Sequence, residues 1–151
     1  MLPRARAVVF VVLSFLLYGC FTSQTVQFPS STDTVWGSDA TSVPGLFFKP
    51  QGTGPFPAVV LLYTDAGMLP HVSQDWPQFL TTHGFAVLTV DTYTPRNLNV
   101  GGMGAMKQML QAKDAYGALD YLAGRADIDP ARIGVMGFSN GGLAIGERIM
   151  Q

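Results

Sequence analysis

Residues Arg132 to Gly142 read RIGVMGFSNGG, and the order of residue types along them decides the fold. Arg132 to Phe138 is an apolar, β-rich run, and from Gly141 onward small residues open a helix. Between them stands Gly137-Phe138-Ser139-Asn140-Gly141, a G-x-S-x-G pattern. A serine held at a sharp strand-to-helix turn adopts a strained backbone, and side chains two residues to either side would collide. Glycine at both flanks removes the collision. The hydroxyl then projects alone at the edge of a sheet, and the amide N–H of Asn140 points toward charge developing on an attacked oxygen.

Working outward, two more apolar runs precede this one. Pro57 to Tyr63 (PAVVLLY) and Phe85 to Val90 (FAVLTV) are bounded by turn residues, as strands buried on both faces of a parallel sheet are. Gln24 to Phe28 and Gly45 to Lys49 are shorter strand candidates, and Pro50 to Pro55 is a turn cluster. Asp75 is placed to N-cap a helix of about eight residues, with Pro77 in its first turn and Gly84 as its stop. A longer helix is predicted from Ala105 to Leu122, with Met106, Met109, Leu110, Leu119 and Leu122 as its packing stripe. Strand and helix in alternation predict an α/β fold with a doubly wound, mostly parallel sheet. Chemistry in such sheets gathers beyond the C-terminal strand ends, which directs attention to Thr64–Gly67, Asp91–Arg96 and Ser139.

The composition narrows the function. Of 151 residues, 48% are hydrophobic and 13% charged, enough for one domain with a core and too apolar for a disordered chain. Nine basic residues against ten acidic ones leave a net charge of −1 with no basic stripe, which argues against a nucleic-acid partner. A single cysteine, Cys20, excludes an intrachain disulfide. His71 and His83 are the two histidines, and no Cys or His spacing suits a metal, so neither metal nor cofactor is expected.

The N-terminus reads as an address. Arg4 and Arg6 precede an apolar run from Ala7 to Leu17, broken by Ser14, which is too short for the roughly 20 residues of a membrane span. Such a run suits a signal-peptide core. Leu17-Tyr18-Gly19-Cys20 then resembles the bacterial lipobox, in which the cysteine is lipidated, although Tyr18 stands where a small residue is usual. The expected organisation is a lipoprotein signal peptide (1–19), a Ser/Thr-rich tether (20–41) and an α/β domain (42–151). The implied location is the bacterial envelope, held by a lipid anchor at Cys20 or, with an ordinary secretory signal, periplasmic or secreted; an uncleaved anchor is the third alternative.

Three segments carry a specific resemblance. DIDPARIGVMGFSNGG (127–142), DAYGALDYLAGR (114–125) and HGFAVLTVDTYTPRN (83–97) resemble the dienelactone hydrolase family within the α/β-hydrolases. The likeness spans Pro44 to Ile149 but only the front part of that fold. It implies hydrolysis of a small-molecule carboxylic ester, with Ser139 as nucleophile and an acyl-enzyme intermediate. The namesake enzymes use cysteine there, so the serine points to a general carboxyl-ester hydrolase. The family's loop after the third strand implies Asp65, through its backbone N–H, as the second oxyanion donor beside Asn140. Arg96 is a candidate for pairing with a substrate carboxylate, or else a structural partner of Asp91 or Asp114. His71 could line a pocket, and His83 suits a helix C-terminus. Met103, Met106 and Met109 suit core filling, and Glu147 lies too near the serine to be a triad acid.

In this fold the triad order is Ser, then Asp or Glu, then His. No histidine follows Ser139 and the chain ends at Gln151. The expectation is the N-terminal part of a longer hydrolase, inactive by itself for want of a base. The competing expectation is a non-catalytic envelope lipoprotein that uses the scaffold for binding.

Overall fold

The computed structural model describes residues 22–31, 41–102 and 104–146. Five strands form one sheet: β1 (Gln24–Pro29), β2 (Ser42–Phe48), β3 (Phe56–Leu62), β4 (Ala86–Val90) and β5 (Ile128–Gly137). Their spatial order is β1-β2-β4-β3-β5, with β2 antiparallel to β1 and β4, and β3 parallel to both β4 and β5. The α/β sheet read from the sequence is present with helices on both faces, but it is mixed, with two antiparallel and two parallel pairings where a mostly parallel sheet was expected. One boundary moves: Gln24–Pro29, placed within the tether, is paired residue for residue with β2, so the folded unit begins before residue 42.

Alternation along each strand sorts side chains to two faces. Ala58, Val60 and Leu62 of β3, with Ala86, Leu88 and Val90 of β4, form one core under α2 (Ala105–Ala123) and α3 (Asn140–Ala144). Leu61, Tyr63 and Val87 face the other way, against Trp76 and Leu80 of α1 (Trp76–Thr82). A π-helical turn, His71–Asp75, leads into α1, so the backbone of Asp75 is already helical and its side chain makes no cap. An N-cap needs extended backbone at that position, which the preceding turn removes.

The predicted stripe holds at the C-terminal end of α2, where Leu122 is buried in the core and Leu119 packs against it, but not in its first turns. Met106 is 58% exposed, whereas Lys107, Gln111, Asp114, Ala115, Ala118 and Leu122 face inward. The reason is proximity. A Cβ at Gly117 would stand 2.1 Å from the Pro29 carbonyl oxygen, so α2 crosses the end of β1 almost backbone to backbone. Around the crossing small residues fill so close an approach, and Tyr116 beside it is turned out.

Gly117→Ala should lower the unfolding free energy by about 2 kcal/mol, an overpacking loss. It does so although alanine is the better helix former by about 1 kcal/mol. Urea denaturation measures the difference, and a stabilised variant would refute the close crossing.

Candidate active site

The site is built where β3 and β5 end side by side. Leu62 pairs with Gly137, and the Phe138 N–H continues the ladder by donating to the Leu62 carbonyl at 3.1 Å. The chain must then reverse into α3 within three residues. A Cβ on Gly137 would lie 2.5 Å from the Gly141 carbonyl carbon, and one on Gly141 would lie 2.8 Å from the Leu62 Cβ and 2.9 Å from its backbone. Both glycines are thus dictated by contact. Ser139, between them, sits at φ 50° and ψ −111° and is exposed. A positive φ at a non-glycine residue costs on the order of 1–3 kcal/mol, which the packed turn imposes.

After β3, Thr64 and Gly67 form a small bridge, closed by a Gly67 N–H to Thr64 carbonyl bond of 3.0 Å. Gly67 takes φ +86°, a conformation that suits glycine. Within the described residues, the backbone N–H groups of Asp65 and Asn140 donate to no other backbone carbonyl.

Side chains tie these loops together. Asn140 Nδ2 donates to Tyr93 Oη at 3.3 Å and to Gln111 Oε1 at 2.9 Å. Gln111 Nε2 donates to the Tyr63 carbonyl at 2.9 Å. The Tyr93 hydroxyl donates to Asp65 Oδ1 at 3.2 Å, and Lys107 Nζ reaches the same oxygen at 2.9 Å. The Tyr63 hydroxyl in turn accepts from the Tyr93 N–H at 2.7 Å and donates to Asp91 at 3.2 Å. The loops after β3, β4 and β5 therefore share one largely buried polar network, anchored on α2. Burial, with Asp65 alongside, pushes the Tyr93 hydroxyl far above its ordinary range; burial and Asp91 do the same for Tyr63. Both phenols stay neutral donors.

The other sequence candidates fall out as follows. Arg96 grips Asp114 through two bonds of 2.9 Å and also donates to the Thr92 carbonyl, which is the structural alternative to substrate pairing. Its guanidinium is 11% exposed and Asp114 is fully buried, so a substrate carboxylate would have to displace a buried partner. Burial pushes the Asp114 carboxyl up, against the pull of Arg96 and Ser30. His71 packs edge-on against Phe138, 5.3 Å between centroids, beside the serine. His83 bonds the Phe79 carbonyl at 2.7 Å at the end of α1. Cys20, Met103 and Glu147 lie outside the described residues.

Sequence reasoning missed Lys107, Gln111, Tyr93 and the inward role of Asp114. The available signal was spacing: positions 107, 111 and 114 share one helix face with Ala115 and Ala118.

No protein-family profile matches the chain. It is 31% identical to the YtaP protein of Bacillus subtilis (strain 168), whose name assigns it to the hydrolases, over 66% of this chain and 41% of that one. Solved structures share the fold at lower identity. Esterase Est22 superposes with a TM-score of 0.60 at 20% identity, covering 82% of this chain and 37% of its own. A dienelactone hydrolase-like promiscuous phosphotriesterase, P91, from metagenomic libraries gives 0.58 at 20%, covering 83% and 53%. The acylaminoacyl peptidase of Pyrococcus horikoshii gives 0.60 at 19%, covering 87% and 21%. The fold is of the α/β-hydrolase type, and the chain spans about 41% of the length of the curated relative it matches.

Arg96→Met should destabilise the fold by about 3 kcal/mol, because it strands a buried carboxylate. Arg96→Lys should lose less, retaining the charge without the fork. Equilibrium unfolding of the two variants checks both the loss and its order.

Proposed function

We propose that this chain is the nucleophile-bearing, N-terminal part of a serine hydrolase acting on carboxylic esters. The observation that carries the reading is Ser139 exposed at φ 50° between two sterically required glycines, where β5 turns into α3. A scaffold without chemistry has little use for a strained, solvent-facing serine. In the reaction, Ser139 Oγ attacks the ester carbonyl carbon and its proton passes to a base. Collapse breaks the bond to the leaving alcohol, which takes that proton, and leaves an acyl-serine. Water repeats the sequence and releases the acid. The N–H groups of Asp65 and Asn140 hold the oxyanion in both halves, each worth on the order of 3 kcal/mol. The relatives are covered only in part, which leaves room for the triad acid and histidine outside the part of the fold described.

The protein is placed in the bacterial envelope by lipidation at Cys20. The topology suits that arrangement. Gln24 is level with Phe47, and Thr22 borders a cleft with Lys49, Pro50 and Arg125, near where the parallel strands begin. Ser139 lies past their C-terminal ends. Three residues lie between Cys20 and Gln24, four steps of at most about 14 Å of chain in all, so in this reading the opening of the site faces away from the membrane, toward soluble esters.

In the full-length protein, Ser139→Ala should reduce hydrolysis of short p-nitrophenyl esters at least about 10³-fold and abolish fluorophosphonate labelling. Unchanged turnover rejects the assignment. An unlabelled wild-type protein that folds cooperatively supports instead a lipoprotein that only binds. Separately, Cys20→Ser should release the protein from the membrane fraction and abolish incorporation of labelled palmitate; retention of both would reject the anchor.

A further inference from the structure

We propose that Lys107 is a positioning residue for acyl transfer, joining two loops above the sheet and cancelling the charge of Asp65 beside the oxyanion donor. The inference rests on the esterase reading of Ser139 and adds a residue that touches neither substrate nor nucleophile.

Lys107 lies in the first turn of α2 and is only 8% exposed. Its ammonium has three protons and three acceptors: Asp65 Oδ1 at 2.9 Å, the Asn99 carbonyl at 2.7 Å and the Gly101 carbonyl. The Nζ also lies 4.8 Å from the centre of the Tyr93 ring. The Gly101 N–H donates back to the Asp65 carbonyl at 2.9 Å, so Asp65, Lys107 and Gly101 close a ring. The loop after β3 and the Asn99–Gly102 segment are held by that ring.

The charge is the second part. Asp65 offers a backbone N–H to a developing oxyanion, yet its own carboxylate is buried a few ångströms from that N–H. Two negative charges so close, in a poorly screened site, oppose each other strongly. Lys107 and the Tyr93 hydroxyl converge on Oδ1 and remove the conflict. The carboxylate then serves as a strut for the loop instead of a repellent for the transition state.

The experiment compares turnover of K107M, D65N and D65N/K107M in the full-length protein, together with amide exchange in the same proteins. K107M should lower kcat about 100-fold with little change in KM. D65N/K107M should recover most of that loss, since no charge remains to be cancelled, and D65N should lower kcat less than K107M does, because the Lys107 ammonium keeps its two carbonyl acceptors. A lysine of merely structural value leaves the double variant as slow as the single one. Should K107M not fold, the folded double variant still carries the kcat comparison. Gly101 amide exchange should accelerate at least about tenfold in K107M, with β4 amides unaffected. Unchanged Gly101 exchange, or a folded double variant as slow as K107M, overturns the proposal. A wild-type protein without ester turnover, in which Gly101 exchange responds as stated, counts against the esterase reading and leaves the hold on the loops standing.

Discussion

Gly141 rests on the backbone of Leu62, and Gly137 rests on Gly141. These contacts fix how sharply the chain turns from β5 into α3, and most of the surrounding structure accommodates that turn. Because β3 and β5 are paired up to Leu62 and Gly137, any widening of the turn would break their register. Because α3 lies against α2, it would also displace the helix that organises the three loops. Ser139 is held at an unfavourable φ since no alternative path joins the two elements. The strain is local, and the cooperative packing of the sheet and α2 opposes its release.

The helix α2 does two jobs with one face. Toward β1 it presents Gly117 and alanines, which permit the close crossing. Toward the strand ends it presents Lys107, Gln111 and Asp114, each satisfied by its own set of loop partners: Lys107 by Asp65 and the 99–101 carbonyls, Gln111 by Tyr63 and Asn140, and Asp114 by Arg96 and Ser30. Polar groups in such a position are destabilising unless paired. Their near-complete pairing makes loop positions mutually dependent, so the two candidate oxyanion amides are placed by side-chain bonds more than by the loops' own backbone turns.

The sheet was legible in the sequence because β3 and β4 are continuous apolar runs, and the serine turn because its glycines have fixed spacing. The face of α2 was not legible. A helix that lies on bulky strand residues advertises itself by large apolar side chains, and the Met106, Met109 and Leu110 series looked like that stripe. Here the sheet supplies the bulk, through Phe28, Leu62 and Leu88, and the helix supplies space. Hydrophobic periodicity then finds Leu119 and Leu122 at the end of the helix and misses the inward face of its first turns. Asp75 failed as a cap for a related reason: the chain was helical before it arrived there, and nothing in the single residue records that.

Arg96 shows how burial settles a choice between chemistry and structure that residue type leaves open. A guanidinium after a strand end, beside a nucleophile, has the right character to meet an anionic substrate. Its actual partner is fully buried, accepts two parallel bonds from it and has Ser30 as further support. Removing the arginine to serve a substrate would uncover a carboxylate with no access to water, a larger loss than an exposed substrate ion pair returns. The anionic group of this site that matters is therefore internal, Asp65, and it is already neutralised. With Arg96 and Lys107 both committed inward, these two cations hold loops, and under the proposed ester chemistry recognition would fall to backbone amides and to apolar side chains such as Phe138.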